Sequence, residues 1–149
     1  MGTSTFTGPL QAGNILDTSG TTLGKDVKNV GSVVLAQTAS VTQTTGSSTA
    51  IVIPAGSMIV AIEAYVTTAW DGVASTFNVG TTSGGSELVS GAAGGTVGRI
   101  TLTPGSDATR TGLWKNTGTS DIRIWVNSTN AGNGVGALAV RYLQAQGVA

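Results

Sequence analysis

From residue 31 onward the chain consists of short runs in which apolar and polar residues alternate, separated by Gly, Pro, Asn and Asp. Alternation with a period of two is typical of β-strands that have one buried face. The pattern predicts about eight strands, with the first formed either as one bent strand or as two. The predicted runs are 32–44, 49–53, 58–68, 76–81, 86–90, 97–103, 121–127 and 135–143.

The run 58–68 is the strongest predicted strand, and strict alternation divides its residues between two faces. The core face is predicted to carry Met58, Val60, Ile62, Ala64 and Val66, and the opposite face Ile59, Ala61, Glu63, Tyr65 and Thr67. The same rule places further pairs and triplets in the core: Phe77 and Val79; Ile122, Ile124 and Val126; Leu138, Val140 and Tyr142.

A helix-rich fold is not expected, because no window of eleven or more residues has convincing helical spacing, and Gly and β-branched residues are frequent throughout. Residues 104–112 are predicted to be a loop, and Leu113-Trp114 to begin a short strand. About eight antiparallel strands indicate an all-β, two-sheet sandwich, for which the eight-stranded jelly roll is the preferred topology. An immunoglobulin-like sandwich is the alternative, since periodicity does not reveal strand order.

Residues 1–30 have a different pattern, in which glycines and hydroxyl residues surround isolated apolar side chains. Such a segment cannot form a core of its own. The sequence therefore predicts an extended N-terminal arm over 1–30 and a β-sandwich domain over 31–149. The arm either packs on its own domain or lies across a neighbouring molecule, as a chain built for assembly would do. In the second case the apolar residues that would anchor it include Phe6, Leu10, Ile15 and Leu23.

The composition argues against most kinds of chemistry. Charged residues make up 9% of the chain and cancel to zero, while Thr, Ser and Gly supply 61 of 149 residues, so the expected surface is polar but uncharged. The chain has no Cys and no His, which removes thiolate and imidazole ligands, imidazole bases and disulfides. No cofactor or metal is expected.

A pair of acidic side chains could still catalyse a reaction without Cys or His, but acidic residues are sparse in this chain. The acids considered are Glu63, Asp71, Glu87, Asp107 and Asp121. All except Glu63 fall in predicted turns or at strand ends. Glu63 lies on a strand face, where an ion pair with Arg123 or Arg141 explains it more simply than acid catalysis does. The chain is therefore not expected to be an enzyme.

The aromatic residues offer a sugar-stacking platform as one interpretation and subunit contact as another. They are the three tryptophans Trp70, Trp114 and Trp125, with Tyr65 and Tyr142. Tyr65 shares the outer face of its strand with Glu63, and Trp125 shares one with Arg123. Aromatic residues and Arg are enriched in protein interfaces, which favours subunit contact. The predicted self-association surface contains Glu63, Tyr65, Arg123, Trp125 and Arg141.

Nucleic acid and membranes are not expected partners. The seven basic residues form no cluster in the sequence, so no basic surface that could bind a polyanion is expected. The start of the chain lacks the pattern of a secretory signal, and no run approaches the ~18 apolar residues of a membrane span. Synthesis in the cytoplasm is expected.

Several segments together resemble small virion structural proteins of tailed bacteriophages, most of all capsid decoration (cement) proteins. They are the arm 4–13, the segment 33–38, the turn and strand 53–59, the run 77–82 and the closing 140–143. The resemblance spans most of the chain, although its motifs mainly encode strands and turns.

This resemblance implies a β-sandwich, commonly trimeric, on the outer surface of the phage head, made in the host cytoplasm. Its partners would be the major capsid protein, clamped through the arm, and further copies of the chain. A receptor- or glycan-binding module of a tail or fibre is the alternative function. No catalytic residue is implied.

Overall fold

The structure is a computed structural model, and it describes residues 34–144. This part of the chain forms eight β-strands and one helix, with no helix long and apolar enough to cross a bilayer. The elements are β1 (Val34–Thr42), β2 (Ser47–Ile53), β3 (Met58–Thr68), β4 (Thr76–Gly80), β5 (Val89–Ala93), β6 (Gly98–Leu102), α1 (Ala108–Lys115), β7 (Ile122–Ser128) and β8 (Val135–Leu143).

The strands form two four-stranded antiparallel sheets, which confirms the predicted all-β sandwich. Sheet 1 has the order β1-β8-β3-β6, and sheet 2 has the order β2-β7-β4-β5. Four of the pairings join strands whose numbers add up to nine: β1 with β8, β2 with β7, β3 with β6 and β4 with β5. The chain thus follows one long antiparallel ribbon, which is wound so that β3 also pairs with β8 and β4 with β7.

The core lies between the two sheets and is built from the inward residues of nearly every strand. The predicted inward residues Phe77, Val79, Ile124 and Val126 are buried, as are Leu138, Val140 and Tyr142, while Ile122 is half-buried. Trp70 closes one part of the core by packing on Phe77 at 5.3 Å between ring centroids. The alternating pattern therefore identified most of the core correctly.

The predicted facing of β3 is right in its second half and wrong at its start. Ile62, Ala64 and Val66 are buried as predicted, but Met58 and Val60 are exposed and Ile59 is buried instead. The reason is a β-bulge: Ile59 lies opposite Tyr142 and Ala61 lies opposite Arg141, so Val60 is an extra residue without a partner. A bulge adds one residue to the strand, so the residues before it that were predicted to face inward face outward, and the reverse.

Of the two predicted forms of the first strand, the structure has the single one, β1. Two other predictions change, and the first is that the strand predicted at 86–90 lies at Val89–Ala93 instead. Helix α1 replaces the predicted loop and short strand, because Asp107 caps its first turn by accepting a hydrogen bond from the backbone N–H of Arg110 at 2.9 Å. An Asp at this position satisfies a backbone donor that has no partner within the helix.

The edges of β1 and β2 are joined by a side chain. The Gln37 amide donates to Val52 O at 2.7 Å and accepts from Val52 N at 3.1 Å, so it behaves like the backbone of an additional strand. The same amide nitrogen lies 2.7 Å from the Tyr142 hydroxyl. Gln37 therefore connects sheet 1 with sheet 2 at this side of the sandwich.

Candidate functional site

The outer face of sheet 1 is the candidate site, and strand pairing determines which residues meet on it. Residues directly opposite one another in an antiparallel pair share a face. Glu63 on β3 lies opposite Ala139 on β8 and Thr101 on β6. Arg141 is opposite Ala61, and Arg99 is opposite Tyr65, so the two arginines occupy positions diagonal to Glu63 on either side.

Glu63 forms ion pairs with both arginines. One carboxylate oxygen accepts a hydrogen bond from Arg99, and the other lies 3.1 Å from Nη2 of Arg141. Glu63 is only 8% exposed although it is on the outer face, whereas the side chains of Arg99 and Arg141 are 55% and 45% exposed. The guanidinium groups therefore cover the carboxylate and form the outermost layer.

The charge of this cluster is positive. Three charges on Glu63, Arg99 and Arg141 sum to +1, and a nearly buried carboxylate is stable only when it is paired in this way. The hydrogen bond to Glu63, assisted by the negative charge of that carboxylate, raises the pKa of the Arg99 guanidinium above its usual value. Arg99 consequently stays charged at any physiological pH.

Small side chains surround the cluster on the outer surface of sheet 1. The small outward residues of β1, β3, β6 and β8 are Ala36, Thr38, Ser40, Ala61, Thr101, Ala137 and Ala139. Larger apolar side chains are exposed near the bulge and at one end, namely Val34, Met58 and Val60, and Tyr65 is 46% exposed beside Arg99. We call this outer surface of sheet 1 the open face.

The outer face of sheet 2 differs because a loop of the same chain covers part of it. Asn127 on β7 lies on that outer face, opposite Asn78, yet it is only 2% exposed. Its side chain accepts from Gly84 N at 2.9 Å and donates to Gly85 O at 2.7 Å and Thr82 O at 3.3 Å. These bonds hold the β4–β5 loop, residues 81–88, against the sheet.

Glu87 stabilises the same β4–β5 loop from within. Its carboxylate accepts hydrogen bonds from Thr81 N and from the Thr82 hydroxyl, each at 2.9 Å. Burial raises the pKa of Glu87, but the bonds from Thr81, from its own amide and from Thr82 lower it by more, so the net shift is downward. The carboxylate therefore has a structural role in this loop.

The predicted self-association residues do not form one surface. Glu63, Tyr65 and Arg141 lie together on the open face, whereas Arg123 and Trp125 lie on β7 in sheet 2, on the opposite side of the core. The predicted ion pair of Glu63 is confirmed for Arg141. It is wrong for Arg123, which instead donates to Thr49 O at 2.9 Å.

Sequence reasoning missed Arg99 as a member of the cluster. Its strand was predicted, but no sequence signal shows that β6 pairs with β3 in the register that places Arg99 near Glu63. The predicted capsid-contact residues Phe6, Leu10, Ile15 and Leu23 lie outside the described residues.

The other candidate acids have local structural partners and lie apart from Glu63. Asp71 accepts from the side chain of Asn133 at 2.9 Å, which lowers the pKa of Asp71, and Asp107 caps α1. Asp121 accepts from Ala55 N at 3.0 Å. Within residues 34–144, no three acidic side chains are grouped in a way that could hold a metal ion.

Two of the three tryptophans form hydrogen bonds that stabilise the fold. The Trp70 indole is buried and donates to the Ser128 hydroxyl at 2.8 Å, and the Trp114 indole donates to Leu88 O at 2.9 Å from a half-buried position. Trp125 is half-buried on sheet 2. The buried Trp70 ring is therefore not accessible to a stacking sugar.

Comparison with known proteins yields one structural similarity. No protein-family model and no curated protein matches the sequence. The fold is similar to a chain in the solved structure of the capsid of Ralstonia phage GP4, with a TM-score of 0.55. The two chains are 20% identical, and the match covers 80% of this chain and 90% of that one. At this level of identity the similarity shows a shared fold.

Proposed function

We propose that this chain is a structural virion protein of a tailed bacteriophage, which binds the outer capsid surface and reinforces contacts between major capsid subunits. The observation that carries the proposal is the shared sandwich fold, which matches a chain of a phage capsid over four fifths of the sequence. The open face supports it further, because small side chains around the charged cluster suit packing against another protein.

The strand order supports a narrower description of the fold. Sheets ordered β1-β8-β3-β6 and β2-β7-β4-β5 arise when one eight-stranded ribbon is wound around its own core. We propose that the sandwich is a jelly roll, a double-sheet architecture that viral capsid proteins use. An immunoglobulin-like sandwich would not pair the first strand with the last and the second with the seventh.

The proposed partners are the major capsid protein and further copies of this chain. Residues 1–30, with Phe6, Leu10, Ile15 and Leu23, would contact capsid subunits. Self-association as a trimer remains a prediction. Since Arg123 and Trp125 lie on sheet 2, apart from the open face, a trimer contact through them would leave the open face to the capsid subunit.

A binding experiment with capsid shells tests this function. Purified chain is added to unoccupied shells of the phage that encodes it, and bound protein is measured by co-sedimentation. We expect saturable binding and shells that dissociate at a higher temperature, since a ligand stabilises the state it binds. Deletion of residues 2–28 should lower occupancy.

The outcome that contradicts the proposal is an absence of binding by the full-length chain at high micromolar concentration. Unchanged occupancy after the deletion would refute the role of the arm alone. Light scattering of the isolated protein tests self-association separately, because a strictly monomeric species at the same concentration would rule out the trimer.

A further inference from the structure

The open face has the features of a docking surface whose chemistry can be read from its charges. Its central carboxylate, Glu63, is nearly buried, while the guanidinium groups of Arg99 and Arg141 are about half exposed. Among residues 34–144, the only acceptor within hydrogen-bonding or ion-pair distance of either guanidinium group is Glu63. Each arginine can therefore donate further hydrogen bonds outward.

Arginine donors in this arrangement favour a carboxylate as their partner. The planar guanidinium matches the two oxygens of a carboxylate, and charge-assisted bonds of this kind are stronger than neutral ones. The surrounding floor of alanine, serine and threonine lets another protein approach closely. The exposed Val34, Met58 and Val60 near one end would contact apolar side chains.

A second copy docked symmetrically on the same face is disfavoured. A two-fold contact would bring Arg99 and Arg141 of each copy close to the same arginines of the other, and both Glu63 carboxylates are already paired. Like charges that face each other across an interface weaken it. Nucleic acid is also disfavoured as a partner. Two arginines, both paired with Glu63, are too few to bind a run of backbone phosphates.

We propose that the open face receives a surface of the major capsid subunit that presents a carboxylate among apolar side chains, and that this carboxylate binds between Arg99 and Arg141. The proposal rests on the proposed capsid-binding function and adds the surface and the partner's chemistry to it. Glu63 is a positioning residue in this arrangement, because it holds both guanidinium groups in place.

The test compares binding to unoccupied capsid shells by the unaltered chain, the double variant Arg99→Gln/Arg141→Gln and a charge-matched control. The control is Arg110→Gln/Lys115→Gln, which removes two positive charges from α1 instead. We expect the open-face variant to bind about tenfold or more weakly, with a smaller dependence on salt, while the control binds like the unaltered chain. Urea unfolding of each variant verifies that the sandwich is intact.

A third variant, Arg99→Lys/Arg141→Lys, keeps the charge and removes the paired donors. Partial recovery of binding with this variant supports a carboxylate held by the arginine geometry. Equal binding by the unaltered chain and the glutamine variant overturns the inference while leaving the capsid-binding function intact. Loss of self-association in the glutamine variant, measured by light scattering, also overturns it, since the face would then contact another copy. If the unaltered chain does not bind, the proposed function itself fails.

Discussion

The outer faces of the two sheets belong to one fold, yet within residues 34–144 only one of them is covered by another segment of the chain. On sheet 2 the β4–β5 loop lies against the strand surface, and Asn127 is buried beneath it. On sheet 1 the residues around Glu63 are small and mostly exposed, and two arginine side chains provide the only cover among the described residues. The difference indicates that polar side chains stabilise the fold on sheet 2 and remain available to a partner on sheet 1.

Removing the Asn127 side chain should have the largest effect on stability. Asn127→Ala deletes three hydrogen bonds and leaves backbone groups of the β4–β5 loop without partners. We expect the free energy of unfolding to fall by about 3 kcal/mol, because an unsatisfied buried polar group costs roughly 1–3 kcal/mol. Urea denaturation measures this change.

The matched control is Asn78→Ala, directly opposite Asn127 on the same outer face. Asn78 accepts a single, exposed hydrogen bond from Gly91 N at 2.8 Å, so its removal should cost about 1 kcal/mol or less. If the two alanine variants were equally stable, the loop would not depend on Asn127, and the contrast between the two faces would lose its basis.

An intermediate effect is expected from Glu87, and it should depend on pH. Its pKa is lowered in the folded protein, so its contribution is present above its ordinary value of 4.5 and is lost as pH falls through the folded pKa. Glu87→Gln should therefore lose less stability than the unaltered chain on acidification from pH 7 to 3. At pH 7 the substitution should cost about 1 kcal/mol, the usual size for a charged hydrogen bond in a partly exposed site.

Thermal unfolding at several pH values distinguishes Glu87 from the other acids. Asp71 and Asp107 also have lowered pKa values in the folded chain. Both residues are present in the unaltered chain and in Glu87→Gln. The difference between the two stability curves thus belongs to Glu87. Parallel curves over the acidic range would show that its loop bonds do not stabilise the charged form.

The smallest effect on stability is expected on the open face. Arg141→Gln removes an ion pair whose arginine is nearly half exposed, and pairs of this kind usually contribute about 0–1 kcal/mol. We expect an unfolding free energy within about 1 kcal/mol of the unaltered chain, measured by urea denaturation. A loss as large as that of Asn127→Ala would mean that the cluster supports the fold, and its availability to a partner would then be doubtful.

Alternation predicted the strands and the core well, because the side chains of a sandwich face either the interior or the outside. It failed at Met58 and Val60, since a bulge in β3 depends on how β8 pairs with it. Helix α1 was missed because it has only eight residues and none of them is fully buried. Its signal was Asp107, whose side chain caps the first turn.

The candidate site was predictable only in part. Glu63 and Arg141 were singled out because a charge on a strand face needs a partner, and the structure brings them together. Arg99 joins them through the pairing of β3 with β6, and Arg123 is separated from them by the division into two sheets. The cover over Asn127 likewise depends on contacts between distant parts of the sequence, which local periodicity does not encode.

The winding of the ribbon has a consequence for how the protein is made. β8, the last strand, lies in the interior of sheet 1 between β1 and β3. During synthesis the first and third strands therefore lack their shared neighbour until the ribosome has released the end of the domain. Such long-range pairing makes folding slow, so the nascent chain exposes unpaired strands until β8 has emerged.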